Sequence, residues 1–134
     1  MKEKPEAVLL IVDDERTVCR ALSRLLDHKV KEILSATNPT EAEIVLRSGR
    51  ITHLICDHWF GPGQPVGIDL VTRWKKAFPS IQRAVVLTGT DINKLDKGEA
   101  VDEILPKVVV PKKLTKALCL GDDDNDDDDD DKPN

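Results

Sequence analysis

The sequence predicts an open parallel α/β sheet with helices on both faces. Three observations lead there. Three runs, AVLLIVD (7–13), THLICD (52–57) and QRAVVLTG (82–89), are apolar without alternation, the mark of strands covered on both sides. Segments with helical spacing separate the strand-like runs, and such alternation favours parallel pairing through right-handed crossovers. A chain of 134 residues, 40% hydrophobic, is long enough to bury one core without disulfides or metals as staples.

In chain order, the first strand (7–13) is followed by ERTVCRALSRLLD (15–27), where Val18, Leu22, Leu25 and Leu26 recur at helical spacing among charges, predicting a helix with those residues inward. KVKEILSA (29–36) is a weaker strand. Asn38, Pro39 and Glu41 supply an N-cap, a first-turn proline and a third-position acid, which start a helix that stops at Gly49. The strand 52–57 comes next, then GPGQPVG (61–67) as punctuation, then a helix over 68–78 halted by Pro79. After the strand 82–89, DINKLDKGEA (91–100) predicts a short or irregular fourth helix. VDEILPK (101–107) is a last short strand, and PKKLTKALCL (111–120) a final helix with proline at its start. The expected total is five strands and about five helices, with Trp59 and Trp74 as packing residues and Trp59 able to lid a site.

Net charge is −5, but residues 122–132 hold nine Asp and one Lys, so the remainder carries +3. A single-sign run of this kind cannot pack and is expected to be a disordered, solvating tail over 122–134, after a domain spanning 1–121. A sharper expectation is that it folds back on Lys107, Lys112, Lys113 and Lys116, or guards them from nucleic acid. No apolar run approaches the ~20 residues that span a bilayer, and the short N-terminal one ends at Asp13 and Asp14 with no cleavage-site pattern. A cytoplasmic chain is therefore expected. Cys19, Cys56 and Cys119 are odd in number and lack metal spacing, so buried free thiols are expected. His28, His53 and His58 are equally scattered.

The polar residues carry the functional signal. The first strand ends at Asp13-Asp14, the third at Asp57, the fourth at Thr88 and the fifth at Lys107. Parallel strands deliver all these ends to one edge, where open sheets bind ligands. Two carboxylates ~4 Å apart repel by about 4 kcal/mol at an effective dielectric near 20. Lys107 can neutralise one, and a hard dication answers the remainder better. Three acids without a soft ligand suit Mg²⁺, which takes oxygen donors and bridges to phosphoryl oxygens. A carboxylate can itself accept a phosphoryl group as an acyl phosphate. Bland readings stand beside each role: Asp14 as a helix cap, Thr88 as a plain strand residue, Lys107 as a solvated strand end, and Cys56 pointing into the core.

VDDE (12–15), Asp57 after an apolar strand, VVLTG (85–89) and ILPK (104–107), in this order and spacing, resemble a response-regulator receiver domain over about residues 6–120. The resemblance implies a flavodoxin-like strand order 2-1-3-4-5. It implies Asp57 as phosphoacceptor, Asp13 and Asp14 as the acidic metal pair, and a backbone carbonyl at Trp59 as a further Mg²⁺ ligand. It also implies Thr88 as the hydroxyl that closes on the phosphoryl group and Lys107 as its lysine contact.

The sequence departs from the pattern in several places. The loop after Asp57, GPGQPVG, is longer than the family's usual one by about two residues and is led in by His58-Trp59-Phe60. Val108 replaces the usual proline after the lysine, and Ile104 stands where Tyr or Phe is common. The expected function is a stand-alone phosphoacceptor of a two-component phosphorelay. A histidine kinase or histidine phosphotransfer protein would be the donor, and output would pass through an unnamed protein target rather than DNA or a membrane. Any catalysis would be limited to self-catalysed phosphotransfer and autodephosphorylation at Asp57. The alternative is a receiver-like binding module that no longer switches. Flavodoxin and nucleotidase readings fare worse, since DDER would repel a phosphate and GxxxxGK[ST] is absent. A phosphohydrolase with a nucleophilic aspartate would want an acid two positions beyond it, which Asp13-Asp14-Glu15 supplies only in part.

Overall fold

The computed structural model describes residues 6–107 and 111–120. Val108 and the acidic run lie outside the described residues. Five strands form: β1 (Val8–Val12), β2 (Glu32–Ala36), β3 (His53–Asp57), β4 (Arg83–Thr88) and β5 (Glu103–Pro106). They pair in parallel in the order β2-β1-β3-β4-β5. Four α-helices accompany them: α1 (Arg16–Leu26), α2 (Pro39–Leu46), α3 (Gly67–Ala77) and α4 (Pro111–Ala117). The expected parallel sheet and its order are both present.

The two faces of the sheet are covered by different helices. Leu10, Val12, Leu54, Cys56 and Val86 face Ala42 and Leu46 of α2 and Leu70, Val71 and Trp74 of α3. Leu9, Ile11, Ile55, Val85 and Leu87 face Cys19, Leu22 and Leu26 of α1 and Leu114 and Ala117 of α4. Alternate residues of one strand thus enter opposite cores, the period-2 consequence of a doubly covered strand. Cys56 points into the core, as expected.

Local chemistry sets the helix ends. The Asn38 side chain accepts from the Glu41 N–H (2.8 Å), with Pro39 in the first turn. Glu41 returns the favour to Thr37, accepting from its N–H and hydroxyl. In α1 the inward residues are Cys19, Leu22 and Leu26, while Leu25 is 38% exposed. The apolar stripe is therefore rotated from the predicted one, with Cys19 rather than Leu25 turned toward the sheet. Where a fourth helix was expected, the β4–β5 connection makes only a 3₁₀ turn, Ile92–Lys94. Asp91 and Asp96 accept from the N–H groups of Asn93 and Gly98, and such side-chain turns compete with helix formation. Cys119 departs from the buried-thiol expectation: it is exposed, while Cys19 and Cys56 are buried.

Cys119 also adopts the left-handed conformation (φ 56°) that usually falls to glycine. The Leu120 N–H reaches the Thr115 carbonyl and the Cys119 N–H the Lys116 carbonyl, both at 3.0 Å, closing α4 in a Schellman turn. Removing the Cβ relieves a penalty of about 1 kcal/mol. Cys119→Gly should therefore raise the urea midpoint by a corresponding amount.

At the N-terminal edge of the sheet, Asp102 ties β4 to β5. It accepts from Lys75 Nζ (2.9 Å) and the Ala84 N–H (2.8 Å) and pairs with Arg83 (3.4 Å). Burial works to raise its pKa, but the Lys75 and Ala84 hydrogen bonds outweigh it and hold the carboxyl below its ordinary value. The stability this confers is present above the unfolded-chain pKa and is lost as pH falls through the depressed folded value. Asp102→Ala should lower unfolding free energy by about 2 kcal/mol at neutral pH. The loss should vanish in strong acid, as chemical denaturation across pH can show.

Candidate functional site

The strand ends converge as parallel pairing requires. Val12 is registered against Cys56, so Asp13 and Asp57 follow side by side on adjacent strands. Asp57 is registered against Leu87, and Thr88 against Pro106. The Lys107 N–H donates to the Thr88 carbonyl (2.8 Å), which carries the ladder one step further and aims the lysine at the same edge. Asp13, Asp57 and Thr88 are all buried, and Asp14 is exposed.

The Lys107 ammonium lies 3.0 Å from Asp57 Oδ1 and 3.0 Å from Asp13 Oδ2. The first contact is an aligned hydrogen bond, while the second is an ion pair without hydrogen-bond alignment. Asp13 Oδ1 accepts from the Glu15 N–H (2.9 Å), which fixes the carboxylate at the start of α1. Glu15 occupies the N-cap position, so Asp14 does not cap the helix and its carboxylate is left for the site. The Thr88 hydroxyl accepts from the Thr90 N–H (2.9 Å), and its proton engages no described residue.

Burial raises the Asp57 pKa; the Lys107 hydrogen bond opposes this, and the charges of Asp13 and Asp14 add to it. For Lys107, burial favours the neutral amine, but the hydrogen bond and charges of Asp13 and Asp57 prevail and raise its pKa. One ammonium therefore serves two buried carboxylates, with a third acid beside them. Carboxylate oxygens of Asp13, Asp14 and Asp57 all lie within 4.8 Å of one another. Asp13 Oδ2 is buried and receives no hydrogen bond. An all-oxygen acidic donor set with an unsatisfied buried oxygen fits a hard divalent cation.

Three features of the site have no signal in local sequence pattern. Gly67, the first residue of α3, donates its N–H to the His58 carbonyl (2.8 Å) and has no room for a Cβ against the Asp57 backbone. His58 is buried with Nδ1 unpartnered, and burial lowers its pKa against the pull of Asp69. Trp59 is the reverse case: its indole is 58% exposed, so it packs into no core.

No protein-family model and no curated protein matches the sequence. Solved structures do. A response-regulator receiver domain protein from Clostridium thermocellum superposes with TM-score 0.72 at 28% identity, covering 84% of this chain and 91% of that one. This is a receiver-domain fold. The signal receiver domain of an HD-domain-containing protein from Pseudomonas fluorescens Pf-5 gives TM-score 0.74 at 23% identity, over 89% and 88% of the two chains. A response regulator from Burkholderia pseudomallei, solved with a phosphorylated aspartic acid, a calcium ion and citrate, gives 0.70 at 22%, over 84% and 66%. Within this receiver fold the acidic trio sits at the C-terminal strand edge, the position from which open α/β sheets bind ligands. No helix of the described residues is long and apolar enough to cross a membrane.

Proposed function

We propose that this chain is a phosphoacceptor signalling domain of a two-component phosphorelay, with Asp57 accepting the phosphoryl group. The observation that carries the reading is the pair of 3.0 Å contacts from Lys107 to Asp57 and Asp13 beside an acidic oxygen cluster, on a receiver fold. An Asp57 carboxylate oxygen attacks the phosphorus of a phosphohistidine on a kinase or phosphotransfer protein. The P–N bond breaks, an acyl phosphate forms, and the imidazole leaves with the bonding pair.

Asp13, Asp14 and Asp57, with the Trp59 carbonyl, would hold Mg²⁺. The ion supplies charge neutralisation for the transferring group and its oxygens. Lys107 neutralises acceptor and phosphoryl charge from the other side, and Thr88 offers its unengaged hydroxyl proton to a phosphoryl oxygen. Output would follow from a shift between two arrangements of the β3–α3, β4 and β5 ends, read by a protein target.

Incubation with a small-molecule phosphodonor and Mg²⁺, followed by intact mass, tests the reading. A gain of one phosphoryl group in the unsubstituted chain and none in Asp57→Ala is expected; no gain in either would refute it. A partner that binds the unsubstituted, phosphodonor-treated and Asp57→Ala chains equally would instead favour a module that does not switch.

Metal dependence gives a second expectation. Because folding raises the Asp57 pKa, the folded chain holds that proton more tightly than the unfolded one. Its stabilising contribution is present in acid and lost as pH rises through the folded value, so at neutral pH the charged group is a liability. In divalent-free neutral buffer, Asp57→Asn should therefore melt above the unsubstituted chain. Mg²⁺ should reverse the order, stabilising the unsubstituted chain by about 2.7 kcal/mol at a hundred times its dissociation constant.

A further inference from the structure

α1 and the end of β2 flank an open cleft of about 230 Å³ lined by Arg16, Cys19, Arg20, Ser23, Ser35 and Thr37. The arginines are one helical turn apart, and both are exposed. Neither they nor the side chains of Ser23 and Ser35 hydrogen-bond or ion-pair with any described residue. Two acids stand near: Asp13, whose charge reaches Cys19, and Glu41, which attracts Arg16 while its Oε1 is held by the Thr37 N–H and hydroxyl. Two guanidiniums and two hydroxyls that no described residue hydrogen-bonds line one space, a donor-rich set suited to a small polyanion rather than a drug-sized ligand.

We infer that this α1–β2 cleft is an anion-binding site for a group carrying clustered phosphate or carboxylate charge. The cleft is linked to the backbone of Asp13 through its lining residue Cys19 and through Ala36, which lies between its lining residues Ser35 and Thr37. The Cys19 thiol points at the Asp13 carbonyl (3.5 Å), and the Asp13 N–H donates to the carbonyl of Ala36, the neighbour of Thr37 and Ser35 (3.1 Å). An anion drawn between Arg16, Arg20 and Ser35 therefore bears on the strand end that positions Asp13. The same chemistry has two sources: a free polyphosphate or polycarboxylate, or the nine aspartates of residues 122–131. Lys107 competes little for the latter, being committed to Asp13 and Asp57.

The test uses the full chain in Asp57→Asn form and divalent-free, low-salt buffer, so that the phosphoacceptor site plays no part. Pyrophosphate is titrated while backbone amides are followed by NMR. In a version with the nine tail aspartates changed to asparagine, saturable shifts are expected at residues 16–23 and 35–37. Arg16→Gln with Arg20→Gln should weaken binding by about tenfold or more. If the tail is the physiological source, the chain with its aspartates intact binds pyrophosphate about tenfold more weakly. Its α1 and β2 amides then already sit at the bound positions, and salt releases them. Equal affinity with and without the aspartates assigns the site to a free anion. Shifts that do not saturate, that survive the double glutamine substitution, or that fall elsewhere overturn the inference.

Discussion

Replacing Lys107 with methionine should lower unfolding free energy by about 2 kcal/mol in divalent-free neutral buffer and slow phosphorylation by about a hundredfold. Methionine keeps the aliphatic stem and removes only the ammonium that lies 3.0 Å from both Asp57 and Asp13. Two buried carboxylates then face one another uncompensated. Breaking a fully buried pair costs about 3–5 kcal/mol, and the smaller figure here reflects the 27% exposure of the Lys107 side chain, through which water screens the residual repulsion. With the opposing Lys107 hydrogen bond gone, the buried Asp57 carboxyl should take up its proton at higher pH than before. Its protonated, folded form is favoured in acid and that advantage is lost as pH rises through the raised folded value. The variant should therefore regain stability in mildly acidic buffer, where the unsubstituted chain gains less. Mg²⁺ should also restore its stability, but not its rate of phosphoryl acceptance. A neutral-pH denaturation curve indistinguishable from the unsubstituted chain would mean that the carboxylates are not crowded.

The parts of this site that were legible in the sequence are those carried by period-2 burial. Strands covered on both faces read as unbroken apolar runs, so the first polar residue after each run marks an edge. Asp13, Asp57, Thr88 and Lys107 are legible in that way, and parallel pairing places them on the same edge. Helix starts with local chemistry, such as Asn38-Pro39-Glu41, were equally readable. What escaped depends on contacts between distant residues. Cys19 rather than Leu25 faces the sheet because α1 rolls to fit strands that its own periodicity does not describe. The Asp102 clamp joins residues 18 and 27 positions apart. Cys119 takes a glycine's conformation without being glycine, so no punctuation residue marks the end of α4. Trp59 looked like a packing residue because aromatic character was the only local cue, yet its loop projects it outward.

Gly67 is the sharpest of these cases. Within GPGQPVG it reads as one more turn residue, yet its φ is ordinary and its role is steric. A Cβ there would overlap the Asp57 carbonyl oxygen and come within 2.9 Å of His58 Cα and 3.0 Å of the Asp57 carbonyl carbon. These are backbone atoms of the strand end that carries Asp57, so no flexible side chain can give way. Nor can α3 retreat freely, because Leu70, Val71 and Trp74 are fully buried on its inner face. Gly67→Ala should thus lower unfolding free energy by about 2–3 kcal/mol. In the fraction that remains folded, displacement of Asp57 by even about 1 Å should slow phosphorylation by about a hundredfold. Gly89→Ala supplies the control: it lies one residue past Thr88, but an added Cβ meets nothing within 4 Å. That substitution should leave stability within about 0.5 kcal/mol of the unsubstituted chain. Equal denaturation midpoints and phosphorylation rates for the two alanine variants would show that the close approach of α3 does not hold Asp57 in place.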